Sequence, residues 1–264
     1  MKIGIMDEVV RGAFGESFTG AARPLEACFA GAASLGVQGI EINVQLERLK
    51  RDLPGFLREV SALRDHHGLA VPSLVMGEHN NGGLATWWCD PNEKADEVLL
   101  TVQACAELGA PVLLLPFFFF NEPKGASHRA AVAERLQPLC RKAHDVGVTI
   151  AFEGVTPAEH VVEMAETAGP GFGVYFDPAN TAWCDRDPAE EARTFGSLIV
   201  QAHAKDAATF TGDASLGQGK VDHAACAEAY RAIGFDGWVV LETPGGESMP
   251  DDLALARKVY GGAE

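Results

Sequence analysis

Two kinds of apolar spacing alternate along the chain. Short runs in which successive residues change face are followed by longer stretches with apolar residues three and four apart. The short runs predict strands at Lys2–Met6, Gly39–Ile42, Ala70–Met76 and Pro111–Leu115, then in GVTIAFE, GFGVYFD, SLIVQAH and GWVVLE. The longer stretches predict helices over Pro24–Leu35, Pro54–His67, Glu93–Leu108, Ser127 to about Val146, Ala158–Thr167, Pro188–Phe195, His223–Ile233 and Asp251–Tyr260. Gly36 and Gly68 close the first two helices, Ser127 is placed to cap the fourth, and Pro138 is expected to kink or split it. A strand followed by a helix, eight times over, implies parallel strands under covering helices. The expected fold is a single α/β domain, a (β/α)₈ TIM barrel spanning residues 1–264. Two connections stand out: a Gly-rich loop, Asp7–Gly20, and a long loop, Gly77–Pro91, which belong on the active face of such a barrel.

The last four strand runs each end on a residue able to bind a metal: Glu153, Asp177, His203 and Glu242. Their phase agrees. With Glu153 pointing inward, Ala151 and Thr149 follow it and Phe152, Ile150 and Val148 face the helices. Asp177 shares a face with Tyr175 and Gly173, His203 with Gln201, and Glu242 with Val240 and Trp238; the opposite face is apolar in all four. Glu41, in the second strand, has the same inward parity, suiting either a salt bridge or a catalytic role.

Composition narrows the field. The net charge of −16 opposes binding to nucleic acid, and no apolar stretch is long enough to span a membrane. Asp7 and Glu8 interrupt the N-terminus too early for a secretory signal. Six scattered cysteines without a CxxC pair suit reduced, buried thiols in a cytoplasmic protein. Phe117 to Phe120 cannot all face one way. Some are expected in the barrel wall, and the others against either the substrate's apolar face or a partner subunit, which leaves a homo-oligomer open.

Three carboxylates and one imidazole make a mixed oxygen and nitrogen donor set. It suits one divalent ion, with Mn²⁺, Mg²⁺ or Co²⁺ preferred and Zn²⁺ accepted. Three acids in one barrel mouth repel each other strongly unless a cation joins them. Glu153 and Glu242 stand on opposite sides of such an ion and suit two-sided proton transfer beside a carbonyl through an enediolate. His79, near the end of the third strand, is a further candidate for contact with substrate or metal.

The motifs FEGVTPAE, YFDPAN, HAKD, LGQGKVD and VVLETP resemble the sugar phosphate isomerase/epimerase family of xylose isomerase-like barrels. That family includes ketohexose 3-epimerases, hydroxypyruvate isomerases, inosose dehydratases and metal-dependent abasic-site endonucleases. The resemblance runs from about Gly147 onward and is architectural before it. It implies Glu153, Asp177, His203 and Glu242 as metal ligands, and Glu153 and Glu242 as the acid/base pair. Glu159 resembles the substrate-binding glutamate of ketohexose epimerases, but Thr156-Pro157-Ala158-Glu159 is also a capping box. Asn180 stands where those enzymes carry a histidine that touches substrate, and Thr209 where they carry an arginine; both are departures from the pattern. Lys205, in phase with His203, is placed to hold a substrate oxygen or assist proton transfer. The expected activity is a metal-dependent isomerase or epimerase of a small sugar or keto-sugar. The alternatives are a keto-cyclitol or keto-sugar dehydratase using the same site and, ranked lower, an abasic-site endonuclease.

Overall fold

The computed structural model describes residues 1–13, 24–209 and 212–261. Eight parallel strands close into a barrel in the order β1 (Lys2–Met6), β10 (Trp238–Leu241), β7 (Ile199–Ala204), β6 (Phe172–Phe176), β5 (Thr149–Gly154), β4 (Val112–Phe117), β3 (Ser73–Val75) and β2 (Gly39–Asn43), which returns to β1. The remaining two strands, β8 (Asp206–Thr209) and β9 (Gly212–Ala214), pair antiparallel as a small hairpin above β7. The helices of the outer layer are α1 (Asp7–Ala13), α2 (Leu25–Ser34), α3 (Leu46–His67), α4 (Pro91–Leu108), α5 (Ala126–Asp145), α6 (Ala158–Ala168), α7 (Pro178–Trp183), α8 (Pro188–Phe195), α9 (His223–Ala232) and α10 (Met249–Tyr260).

The expected phase holds. Register aligns Leu114 with Ala151 and Pro116 with Glu153 across β4 and β5, and Val240 with His203 across β10 and β7. Outward-facing Phe152 stacks on Phe117 with ring centroids 4.6 Å apart and continues to Phe172. The lumen is filled by polar side chains that reach across it: Tyr175 on β6 touches Glu41 on β2, and Gln201 on β7 touches Ser73 on β3. These strands are not neighbours in the sheet, so the contacts require a closed barrel.

Several local expectations are corrected. The stretch from Asp7, read as a loop, begins as helix α1, with Asp7 and Glu8 in the first turn where the helix dipole favours acids; the part from residue 14 to Gly20 lies outside the described residues. Helix α3 starts eight residues before Pro54 and breaks at Asp52, whose φ of −153° is non-helical and whose carboxylate accepts from the Gly55 N–H at 2.9 Å. At its far end Gly68 takes the left-handed conformation (φ 66°) and closes the helix as expected. Pro138 does not split α5, which runs unbroken from Ala126 to Asp145. Pro138 and Glu134, one turn earlier, are both exposed, so the carbonyl the proline leaves without a donor faces water. Gly125 precedes α5 at the N-cap position, and Ser127 makes no cap. Thr156 makes no capping box either, because Pro157 occupies the N-cap of α6 without a side-chain bond. The long loop after β3 contains a 3₁₀ turn, Gly77–Asn81. No helix among the described residues is long and apolar enough to cross a membrane.

Candidate metal centre

The C-terminal ends of four successive barrel strands, β5, β6, β7 and β10, bring Glu153, Asp177, His203 and Glu242 together. Each offers one ligand atom, and the four atoms lie within 4.8 Å of one another. Nδ1 of His203 is 3.3 Å from Oε1 of Glu153 and 3.0 Å from Oε2 of Glu242. Asp177 does two things. Its Oδ1 caps α7 by accepting from the Ala179 N–H at 2.9 Å, with Pro178 in the first helical position. Its Oδ2 is buried and has no hydrogen-bond partner, the nearest cation being Nζ of Lys205 at 3.9 Å. Glu242 follows β10 directly, held by its backbone N–H to the carbonyl of Ala204 at 3.1 Å.

The electrostatics match a site built around a cation. Burial, reinforced by Glu242 and Glu153 against the opposing charge of Lys205, pushes the Asp177 carboxyl up to about 7. Burial also works to neutralise Glu242, but Lys205 and His203 outweigh it and hold its carboxyl well below the usual range. Burial would strip the proton from His203, yet Glu242, Glu153 and Glu41 raise its pKa well above the ordinary value. Lys205 is likewise raised against burial by Glu242, Asp177 and Asp213. An unpartnered buried carboxylate oxygen and an imidazole facing two carboxylates are what a divalent ion satisfies, and the donor set is of the right type. The four residues fit one metal ion.

Above the cluster lies a cleft of about 310 Å³. Glu153, His203, Lys205 and Glu242 form its floor, Leu114, Pro116, Phe118 and Phe119 an apolar wall, and Asn180, Trp183 and Asp213 the facing side. Such a cleft, apolar on one side with convergent polar groups beneath, is the usual form of a small-molecule site.

A profile of the family described as xylose isomerase-like TIM barrels matches residues 29–259. The chain belongs to this family. Solved structures with the same xylose isomerase-like barrel include 3-keto-D-glucoside 4-epimerase YcjR from E. coli, 20% identical over 98% of this chain and 99% of that one, with a TM-score of 0.75. The probable 3-DHS dehydratase AsbF from Bacillus anthracis is 16% identical over the whole of both chains, with a TM-score of 0.73. D-psicose 3-epimerase from Clostridium cellulolyticum H10 is 16% identical over 100% of this chain and 93% of that one, also at 0.73. At these identities the likeness is one of fold. No curated protein matches.

The barrel sorts the remaining sequence candidates. Asn180 and Lys205 join the centre: Nδ2 of Asn180 donates to Oε1 of Glu153 at 3.2 Å, and Nζ of Lys205 donates to Oε1 of Glu242 at 2.8 Å while lying over the Trp183 ring. Glu159 is exposed on the first turn of α6 and does not line the cleft. His79 does not line it either. It is buried against Phe117 and faces a second cavity with Lys50, Lys94 and Glu97, and burial, aided by Lys94, brings its pKa down to about 3. The four phenylalanines do not face one way: Phe117 enters the core, Phe118 and Phe119 line the cleft, and Phe120 faces outward against Trp88. Sequence reasoning missed Asp213, 3.7 Å from Lys205 on the hairpin, and Trp183. Asp213 stands in a stretch with no periodic signal. Trp183 closes a helix of only six residues, too short to show one.

Proposed function

We propose that the protein is a metal-dependent isomerase or epimerase of a small sugar or keto-sugar. The observation that carries this reading is the position of Glu153 and Glu242, which flank His203 Nδ1 at 3.3 and 3.0 Å and both open onto the cleft. A divalent ion held by Glu153, Asp177, His203 and Glu242, with Mn²⁺, Mg²⁺ or Co²⁺ suited to the donors, supplies a Lewis acid for a carbonyl and its neighbouring hydroxyl. One glutamate takes the proton from the carbon beside the carbonyl, and the other returns a proton. Asn180 orients Glu153 through its 3.2 Å hydrogen bond, and Lys205 keeps Glu242 ionised and offers an N–H to a substrate oxygen. The apolar wall of Leu114, Pro116, Phe118 and Phe119 packs the carbon face of the sugar and keeps water from the exchanging proton. Return of the proton to the opposite face of the same carbon gives an epimer, and return to the neighbouring carbon gives an aldose–ketose isomer.

A dehydratase is the second reading, favoured by one feature: an ammonium 2.8 Å from Glu242 places a proton donor where a departing hydroxyl needs one. Both readings are tested by NMR of products formed in D₂O with Mn²⁺ present, across a panel of ketoses and keto-cyclitols. Deuterium at one carbon with the skeleton retained supports isomerisation or epimerisation; loss of water supports dehydration. No exchange and no product with any member of the panel refutes both.

A further inference from the structure

Glu41 lies beneath the metal centre and takes no part in the chemistry above. It sits on β2, on the far side of the lumen from His203, and is fully buried. Its two carboxylate oxygens are used differently. Oε2 contacts Oγ of Ser73 at 2.5 Å and the hydroxyl of Tyr175 at 2.6 Å; Oε1 contacts Nε2 of His203 at 3.1 Å.

Donor accounting gives this network a direction. Nε2 of Gln201 is an amide nitrogen and can only donate; it does so to Ser73 at 2.7 Å and to Tyr175 at 2.9 Å. Both hydroxyls therefore accept from Gln201 and commit their single protons to Oε2 of Glu41. Glu41 is an acceptor at the bottom of this chain. With Nδ1 of His203 turned to the ion, the ring's one hydrogen is on Nε2, and Oε1 of Glu41, 3.1 Å away, accepts it. The ring is held with Nδ1 turned toward Glu153 and Glu242. Two hydroxyls and the imidazole thus occupy both oxygens of this buried side chain.

We propose that Glu41 is a positioning residue of the metal centre, its buried carboxylate gripping Nε2–H of His203 so that Nδ1 is the atom presented to the ion. A carboxylate behind a ligating imidazole fixes the ring's tautomer and orientation and raises its basicity, and losing such a partner typically weakens metal binding about 10- to 100-fold. Ser73, Tyr175 and Gln201 are the supports that keep Glu41 in place. The proposal rests on the metal-site reading of Glu153, Asp177, His203 and Glu242.

Two measurements on the full chain test it. The first is calorimetric titration of Mn²⁺ into wild type and Glu41→Gln, alongside melting of each metal-free protein. The expected result is a 10- to 100-fold weaker Kd for Glu41→Gln, about the loss of such a partner, with a cooperative melt retained. A purely structural role for Glu41 would lower the melting temperature and leave the Kd unchanged, and that outcome overturns the proposal. The second needs no variant and decides the matter if Glu41→Gln does not fold. In ¹⁵N-histidine-labelled wild type with Zn²⁺, long-range ¹H–¹⁵N spectra should show His203 protonated at Nε2 and coordinated through Nδ1. Coordination through Nε2 overturns the proposal. Failure of the wild type to bind either ion would overturn the metal reading itself, a separate outcome from unchanged binding in Glu41→Gln.

Discussion

Replacing His79 with leucine should change how stability depends on pH while leaving the metal centre alone. His79 is 1% exposed, packs edge-on against Phe117 at 5.2 Å, and receives only a long contact from the Leu84 N–H at 3.4 Å on Nε2. Its Nδ1 is buried without a partner. Protonating this ring in the folded chain would place a charge on a buried group near Lys94, so its pKa falls from 6.5 to about 3. Between these values the unfolded chain binds the extra proton and the folded chain does not. The contribution of His79 is therefore fully present above pH 6.5 and is lost as pH falls toward about 3. At about pH 5 the loss is about 2 kcal/mol, and across the whole window it reaches about 5 kcal/mol. The assay is urea unfolding of wild type and His79→Leu at matched pH values from about 7.5 down to about 5, read as the difference between the two proteins so that other titrating groups cancel. The expected difference shifts by about 2 kcal/mol in favour of the leucine variant at the acid end. Parallel profiles would refute the assignment of a neutral buried imidazole. A loss of Mn²⁺ affinity in the variant would show instead that His79 serves the metal centre.

Two further outcomes follow from the geometry. Glu153→Gln and Glu242→Gln should each lower turnover by about 10²- to 10⁴-fold with the far-ultraviolet circular dichroism of the barrel retained, and turnover close to wild type in either variant removes that residue from the acid/base pair. Burial pushes the thiols of Cys105, Cys140 and Cys226 up to about 12, whereas Cys89 and Cys184 are partly exposed. Alkylation of the native protein by iodoacetamide at about pH 8, followed by peptide mass mapping, should therefore label Cys89 and Cys184 first; early labelling of the three buried thiols would contradict their packing.

The parts that were legible in the sequence share one property: they depend on local periodicity. A residue's face along a strand follows from parity alone, which is why Glu153, Tyr175, Gln201 and His203 could be assigned inward before any fold was in hand. The parity of Glu41 was equally visible, but its partner was not, because the distance between Glu41 and His203 is set by closing β1 against β2 and β10. His79 shows the opposite case. Its position after a strand suggested the active face, yet the 3₁₀ turn Gly77–Asn81 swings its ring into the protein beside Phe117. Glu159 stands apart from the cluster for a related reason. Its spacing from Glu153 fitted a site residue, but Pro157 sets the entry of α6 and leaves Glu159 on an exposed first turn. Pro138 leaves α5 unsplit because it is exposed, and solvent can replace a missing donor only on the outer face of a helix.

The chain's own order of residues determined the eightfold repeat of strand and helix, the inward face of each strand and the chemical type of the four candidate ligands. Those depend on side-chain identity and on a spacing that backbone geometry fixes locally. Only the closed barrel decided that the ends of β5, β6, β7 and β10 stand side by side, that Glu41 reaches His203 across the lumen, and that the β8–β9 hairpin sets Asp213 beside Lys205. Contacts between residues far apart in the chain exist only after the strands have paired and the sheet has curled shut, because pairing and curvature set the distances that local periodicity leaves free.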